Sequence, residues 1–148
     1  MSTTRYEGKC LCGGIRFTIS SEPSFVGSCY CLHCIKGSGG VNQVVGRFSK
    51  KDVKIEAGED LITTYVFTDT STGKGKDKTF CKTCGAPLWT VPESARKSDE
   101  LLIRTALLEN GSEIKPKVAI FTRTRASWVP SIEGVPDFET MPPPPPAA

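Results

Sequence analysis

The sequence predicts a mainly β fold with little helix, and three observations carry that expectation. Short runs rich in β-branched and aromatic residues recur between glycine and proline positions, the cysteines fall into three separate groups, and only one tract has the composition of a helix. Residues 13–20 (GGIRFTIS), 41–48 (VNQVVGRF), 52–58 (DVKIEAG) and 61–68 (LITTYVFT) are short and partly alternating, the pattern of half-buried strands. Residues 86–91 (APLWTV), 100–108 (ELLIRTALL) and 118–124 (VAIFTRT) continue the series, with turn signals at Asn110-Gly111 and Lys115-Pro116 between them.

The helical tract is PESARKSDE, residues 92–100, long enough for one or two turns with its proline in the first. Residues 70–78 (TSTGKGKDK) are polar and glycine-rich and read as a mobile loop leading into Phe80-Cys81. The Gly-Lys-Ser/Thr ending of a phosphate-binding loop is missing there. Residues 141–148 (MPPPPPAA) favour polyproline II and read as a solvated, disordered tail, which leaves residues 1–140 as a single domain.

Composition bounds the function more than it names it. Hydrophobic residues at 38% and charged residues at 24% are ordinary for a soluble protein, and a formal charge of +3 is too small and too dispersed to argue for nucleic acid. No stretch of about 18 apolar residues suggests a membrane span, and MSTTRYEGKC lacks the apolar run of a secretory signal. A cytoplasmic location is the expectation. Seven cysteines, an odd number in a reducing compartment, argue for metal ligation over a disulfide framework.

The cysteines sort by chemistry. In FCKTCGAPL, Cys81 and Cys84 form a C-x-x-C-G turn that points two thiolates at one cation, with glycine supplying the positive φ the turn needs. In KCLCGG, Cys10 and Cys12 form a second two-thiolate turn, and the two pairs complete a closed four-cysteine site of the structural kind. SCYCLHC then leaves Cys29, Cys31 and Cys34 with no further cysteine. His33, the only histidine, lies between two candidate ligands, where a side chain usually points away from the metal. Three protein ligands with one exchangeable position is how catalytic zinc sites are built. A structural site closed by a histidine or carboxylate, or a free buried Cys34, remains open on spacing alone.

Four segments together resemble one family: GKCLCG at residues 8–13, CYCLHCIKGSG at 29–39, TFCKTCGAPL at 79–88 and SWVPSIEGVPDF at 127–138. In this order, over roughly residues 5–138, they are similar to the glutathione-dependent formaldehyde-activating enzymes, a group that includes the centromere protein V domain. The resemblance implies a β-tent fold of short antiparallel sheets with zinc knuckles and two zinc ions per chain. It implies that Cys10, Cys12, Cys81 and Cys84 hold a structural zinc and that Cys29, Cys31 and Cys34 hold a catalytic one. It further implies a small-molecule substrate and a carbon–sulfur lyase activity, with glutathione as cosubstrate for condensation with formaldehyde. A related use on another small carbonyl compound or biosynthetic intermediate is equally compatible, and the alternative is a noncatalytic zinc-stabilised interaction module.

Other residues are weighed beside the cysteines. Lys36 matches a basic position of the family and could hold a carboxylate or stabilise an oxyanion. Ser38, Gly39 and Gly40 offer backbone N–H groups but serve equally to turn the chain. Trp128 is expected in the core, and Arg123 and Arg125 on a solvated strand face. Relatives often carry a histidine where Ala119 stands, so the general acid or base must come from water, Lys36 or another group.

Overall fold

A computed structural model describes residues 3–70 and 72–143. The expected disordered tail falls mostly on residues 144–148, which lie outside the described residues, as does Ser71 of the polar loop. In chain order the elements are β1 (Tyr6–Lys9), β2 (Arg16–Ile19), β3 (Phe25–Cys29), α1 (Leu32–Ser38), β4 (Gln43–Ser49), β5 (Val53–Ala57) and β6 (Ile62–Phe67). They continue as β7 (Lys76–Cys81), β8 (Pro87–Pro92), α2 (Glu93–Ser98), β9 (Glu100–Arg104) and β10 (Val118–Ile120), with single 3-10 turns between several of them. The protein is mainly β, and among the described residues its α-helices are two short ones. None of the helices is long and apolar enough to cross a membrane.

The chain forms two compact units. One comprises the chain up to Phe25 together with Gly46–Ile114; the other comprises Val26–Val45 and the chain from Lys115 onward. In the first unit β1, β2 and β5 make an antiparallel sheet in the order β1-β2-β5, and β9-β8-β7-β6 follow one another in a second sheet. Alternation in RFTI sends Phe17 and Ile19 inward and leaves Arg16 exposed. These side chains join Ile15, Phe48, Leu88, Trp89 and Ile103 in a core that also takes in Cys10 and Cys81. Phe17 meets Trp89 edge to face, with ring centroids 5.9 Å apart.

Three strands are missing from the sequence-based expectation, each for its own reason. β7 begins inside what reads as a mobile loop, because Lys76, Asp77 and Lys78 are held by ladders to β6 on one side and β8 on the other. Asp77 pairs with Arg96, and Lys74, just ahead of the strand, pairs with Glu93 at 3.7 Å. β1 is polar except at its ring and glycine, and it pairs with β2 from Tyr6↔Ile19 to Lys9↔Arg16. β3 is buried from Val26 through Cys29, so it has no alternation to read.

In the second unit β3 pairs in parallel with β10, Val118↔Gly27, Ala119↔Ser28 and Ile120↔Cys29. The strand expected to run to residue 124 ends at Ile120, since Phe121 takes a left-handed φ of 55°. Its N–H donates to the Thr140 carbonyl at 3.2 Å, and that of Thr122 donates to Phe138 at 3.1 Å, so the C-terminal segment fixes the turn. α1 was not expected. Cys31 stands in the N-cap position, and Gly39 closes the helix with φ 68° and an N–H bond to Ile35.

Candidate metal centres

Each unit gathers one set of sulfurs. In the first, the Sγ atoms of Cys10, Cys12, Cys81 and Cys84 all lie within 4.8 Å of one another. Cys10 and Cys12 are 3.5 Å apart, and Cys12 and Cys81 are 3.9 Å apart. A tetrahedron with zinc–sulfur bonds of about 2.3 Å has edges of about 3.8 Å, so the spacing suits a single ion of that size.

Two similar turns deliver these four sulfurs. In one, Gly13 N–H donates to the Cys10 carbonyl at 3.0 Å and Ile15 N–H donates to Cys10 Sγ at 3.3 Å. In the other, Gly85 N–H donates to the Cys81 carbonyl at 2.7 Å and Cys81 N–H donates to Ala86 at 3.0 Å. Gly13 and Gly85 have φ of 75° and 74°, a left-handed conformation that a side chain would strain.

The four thiols differ in acidity. The Ala86 N–H, then the Cys12 N–H, lower the Cys84 thiol to about 6. Burial pushes the Cys10 thiol up, but the Ile15 N–H and the neighbouring Cys12 and Cys81 groups outweigh it and leave it lowered. At Cys12 the Gly14 N–H favours the thiolate, yet the adjacent Cys10 sulfur and burial drive the thiol up to about 11. Crowded thiolates repel one another, and a divalent cation is what makes four of them compatible.

In the second unit Cys29 ends β3, Cys31 caps α1 and Cys34 lies in its first turns. Their Sγ atoms are also mutually within 4.8 Å, and among the described residues no histidine, carboxylate or further cysteine completes a fourth corner of that group. The Cys34 N–H donates to Cys31 Sγ at 3.4 Å, so the capping bond of the helix and the aim of the sulfur are one feature. Ile120 is buried against the cluster, with Val118 and Phe121 partly buried beside it. The Cys31 and Cys34 sulfurs, then burial, push the Cys29 thiol well above the ordinary thiol range. Three sulfurs so placed accept ionisation together only around a cation, and soft thiolates suit zinc.

Tyr30, between Cys29 and Cys31, is 2% exposed and is held from three sides. Its N–H donates to the Ile120 carbonyl at 3.0 Å, and its carbonyl accepts from Thr124 Oγ1 at 2.6 Å. The Arg125 guanidinium lies over its ring, 5.4 Å from the centroid. Arg125 Nη2 in turn donates to Asp137 Oδ2 at 2.8 Å and to Ser131 Oγ at 3.0 Å, while Ser131 Oγ donates to the same Asp137 oxygen at 2.8 Å. Arg125 is therefore not on a solvated strand face; its side chain is 16% exposed because the strand has already turned at Phe121.

Of the other residues singled out, Lys36 is exposed in the last turn of α1, and Arg123 is exposed. Trp128 is 75% exposed, contrary to the core position expected of it, because it lies in the irregular segment after the last 3-10 turn. Ala119 is fully buried opposite Ser28, which is also fully buried and accepts from Asn42 Nδ2 at 2.8 Å. The Tyr30–Arg125–Asp137 arrangement escapes sequence reasoning because residues far along the chain make it. Its only local trace is the cysteine-flanked aromatic of C-Y-C.

A mainly β chain carrying a four-cysteine and a three-cysteine cluster, each able to hold a metal ion, is the class of protein that the fold and sites define. The model of the glutathione-dependent formaldehyde-activating enzyme family matches residues 5–124, and the chain belongs to that family. A Halomonas elongata protein named for the same family is 32% identical over 85 residues, covering 56% of this chain and 54% of the relative. The matched region thus spans about half of that relative's length. A crystal structure of a Rhodobacter sphaeroides protein superposes with a TM-score of 0.52 at 18% identity, covering 89% of this chain and 99% of that one, which supports the fold alone.

Proposed function

We propose that this protein is a zinc-dependent, carbon–sulfur lyase-like enzyme that joins a thiol such as glutathione to a small carbonyl compound, formaldehyde being the simplest, or separates the adduct. The observation that carries this reading is the three-sulfur cluster of Cys29, Cys31 and Cys34, which no fourth His, Cys, Asp or Glu joins among the described residues. In this reading Cys10, Cys12, Cys81 and Cys84 hold a structural zinc, whereas the three-cysteine set holds a zinc with a position left for substrate. Zinc there would supply Lewis acidity, favouring ionisation of a thiol or polarising a carbonyl at neutral pH.

The chain's own residues set the conditions for that chemistry. Ile120, Val118 and Phe121 keep water from one side of the sulfurs and strengthen electrostatic interactions around them. In the forward direction a carbon–sulfur bond forms between the thiol sulfur and the carbonyl carbon, and the thiol proton ends on the carbonyl oxygen. Ala119 brings no proton carrier, so that transfer falls to water or to Lys36, whose exposed ammonium on α1 also suits a carboxylate of a peptide thiol. The family match and the family-named relative support the thiol and carbonyl classes.

Metal analysis with exchange NMR tests the reading. The wild-type protein should carry two zinc ions per chain and accelerate exchange between formaldehyde, or another small aldehyde, and its glutathione adduct. Cys31→Ala should keep one zinc and a folded first unit while losing at least tenfold of the acceleration. A wild-type protein with a single zinc, or a Cys31→Ala variant as fast as wild type, would overturn it.

A further inference from the structure

We propose that Arg125 is a positioning residue for the three-cysteine centre, acting through Tyr30 and itself held by Asp137 and Ser131. The inference rests on that centre holding metal. In a C-x-C pair the relative aim of the two sulfurs depends on the backbone angles of the residue between them, because every rotation there swings one ligand against the other. Tyr30 is that residue, and both its peptide groups are clamped, its N–H by Ile120 and its carbonyl by Thr124 Oγ1.

The ring completes the clamp. Arg125 lies across it at 5.4 Å, and a guanidinium stacked on an aromatic face is held best when its fork is anchored at the other end. Asp137 and Ser131 provide that anchor at 2.8 and 3.0 Å, and Ser131 locks the carboxylate with a bond of its own. Asp137 is further fixed by its neighbour, since Phe138 N–H donates to the Ala119 carbonyl at 2.8 Å in the strand beside β3. The C-terminal segment, otherwise irregular, thus reaches back to set the bite of Cys29 and Cys31.

Cobalt(II) titration of the whole chain tests this with a readout independent of catalysis. Wild type should take two equivalents, and a chelator competition gives the affinity of each. In Arg125→Ala the weaker equivalent should lose affinity by about 10–100-fold, the range for removing an outer-shell partner, and its ligand-field bands should shift while the tighter equivalent stays unchanged. Arg125→Lys, which keeps charge without the planar fork, should fall between, and Tyr30→Phe, which keeps the ring and both backbone bonds but loses the hydroxyl that also meets Arg125, should lose less affinity than Arg125→Ala. Should Arg125→Ala fail to fold, Arg125→Lys carries the comparison. Wild-type affinity and bands for both Arg125 variants overturn the positioning role. A wild-type chain that takes one equivalent overturns the metal reading on which it rests, a result told apart by the parent protein alone.

Discussion

Asp137 shows how a single side chain reports on the unit around it. The Arg125 hydrogen bond, then the Ser131 hydroxyl, hold its carboxyl below the ordinary range. A carboxylate whose pKa is depressed on folding stabilises the folded state fully above its unfolded pKa of about 3.9 and loses that contribution as pH falls through the folded value. With the Asp137 side chain 30% exposed, screening limits the pair to about 1 kcal/mol. Asp137→Asn should therefore lower stability by about that much between pH 5 and 8, and the gap to wild type should close below about pH 4. Urea unfolding of both proteins across that range measures it, and a gap that widens in acid would contradict the assignment. The partnership is not legible in the sequence, where Arg125 reads as one of two alternating arginines. The cysteines are legible, because thiolate chemistry demands close spacing and leaves the same mark wherever it occurs.

Among the elements, β7 carries the most tension between composition and structure. Its register against β8 shifts between Lys78 and Phe80, and Thr79 fills the irregularity. The Thr79 hydroxyl donates to the Trp89 carbonyl at 2.8 Å and accepts from the Trp89 N–H at 3.2 Å, so one side chain restores both bonds that the ladder loses there. Thr79→Val keeps the shape and leaves two buried backbone groups unpaired, a loss of roughly 2–4 kcal/mol. Thermal unfolding should register it, whereas Thr79→Ser should stay within about 1 kcal/mol of wild type; equal losses in the two variants would mean the methyl, not the hydroxyl, matters. Strands with a half-buried alternating face, such as β2 and β5, were legible because burial writes a period into the sequence. β7 was not, because pairing on both sides makes a strand of lysines and an aspartate that composition assigns to a loop. Helix α1 escaped for a related reason: its N-cap is a cysteine, a residue that sequence reasoning assigns to metal before it considers capping.

At the scale of the molecule, the two cysteine sets differ in how much chain they tie together. Cys12 and Cys81 are 69 residues apart, so an ion at the four-cysteine site cross-links the two segments that build the first unit. By the loop-entropy relation for a cross-link of that span, this constraint alone is on the order of 4 kcal/mol. Cys10 and Cys81 are also members of that unit's core, at 2% and 0% exposure, so two of the four ligands can let go only as the core moves, while Cys12 is exposed and Cys84 half-buried. Cys29, Cys31 and Cys34 lie within one short stretch, and an ion there cross-links almost nothing beyond the cap of α1. Chelation of the zinc-loaded protein should then proceed in two steps. The first ion should leave with increased hydrogen exchange confined to the end of β3 and α1, while strands β2, β8 and β9 stay protected. The second should leave much more slowly, at the rate at which those strands lose protection. Native mass spectrometry paired with hydrogen exchange resolves the order, and joint loss of both ions, or loss from the four-cysteine set first, would refute this division of labour.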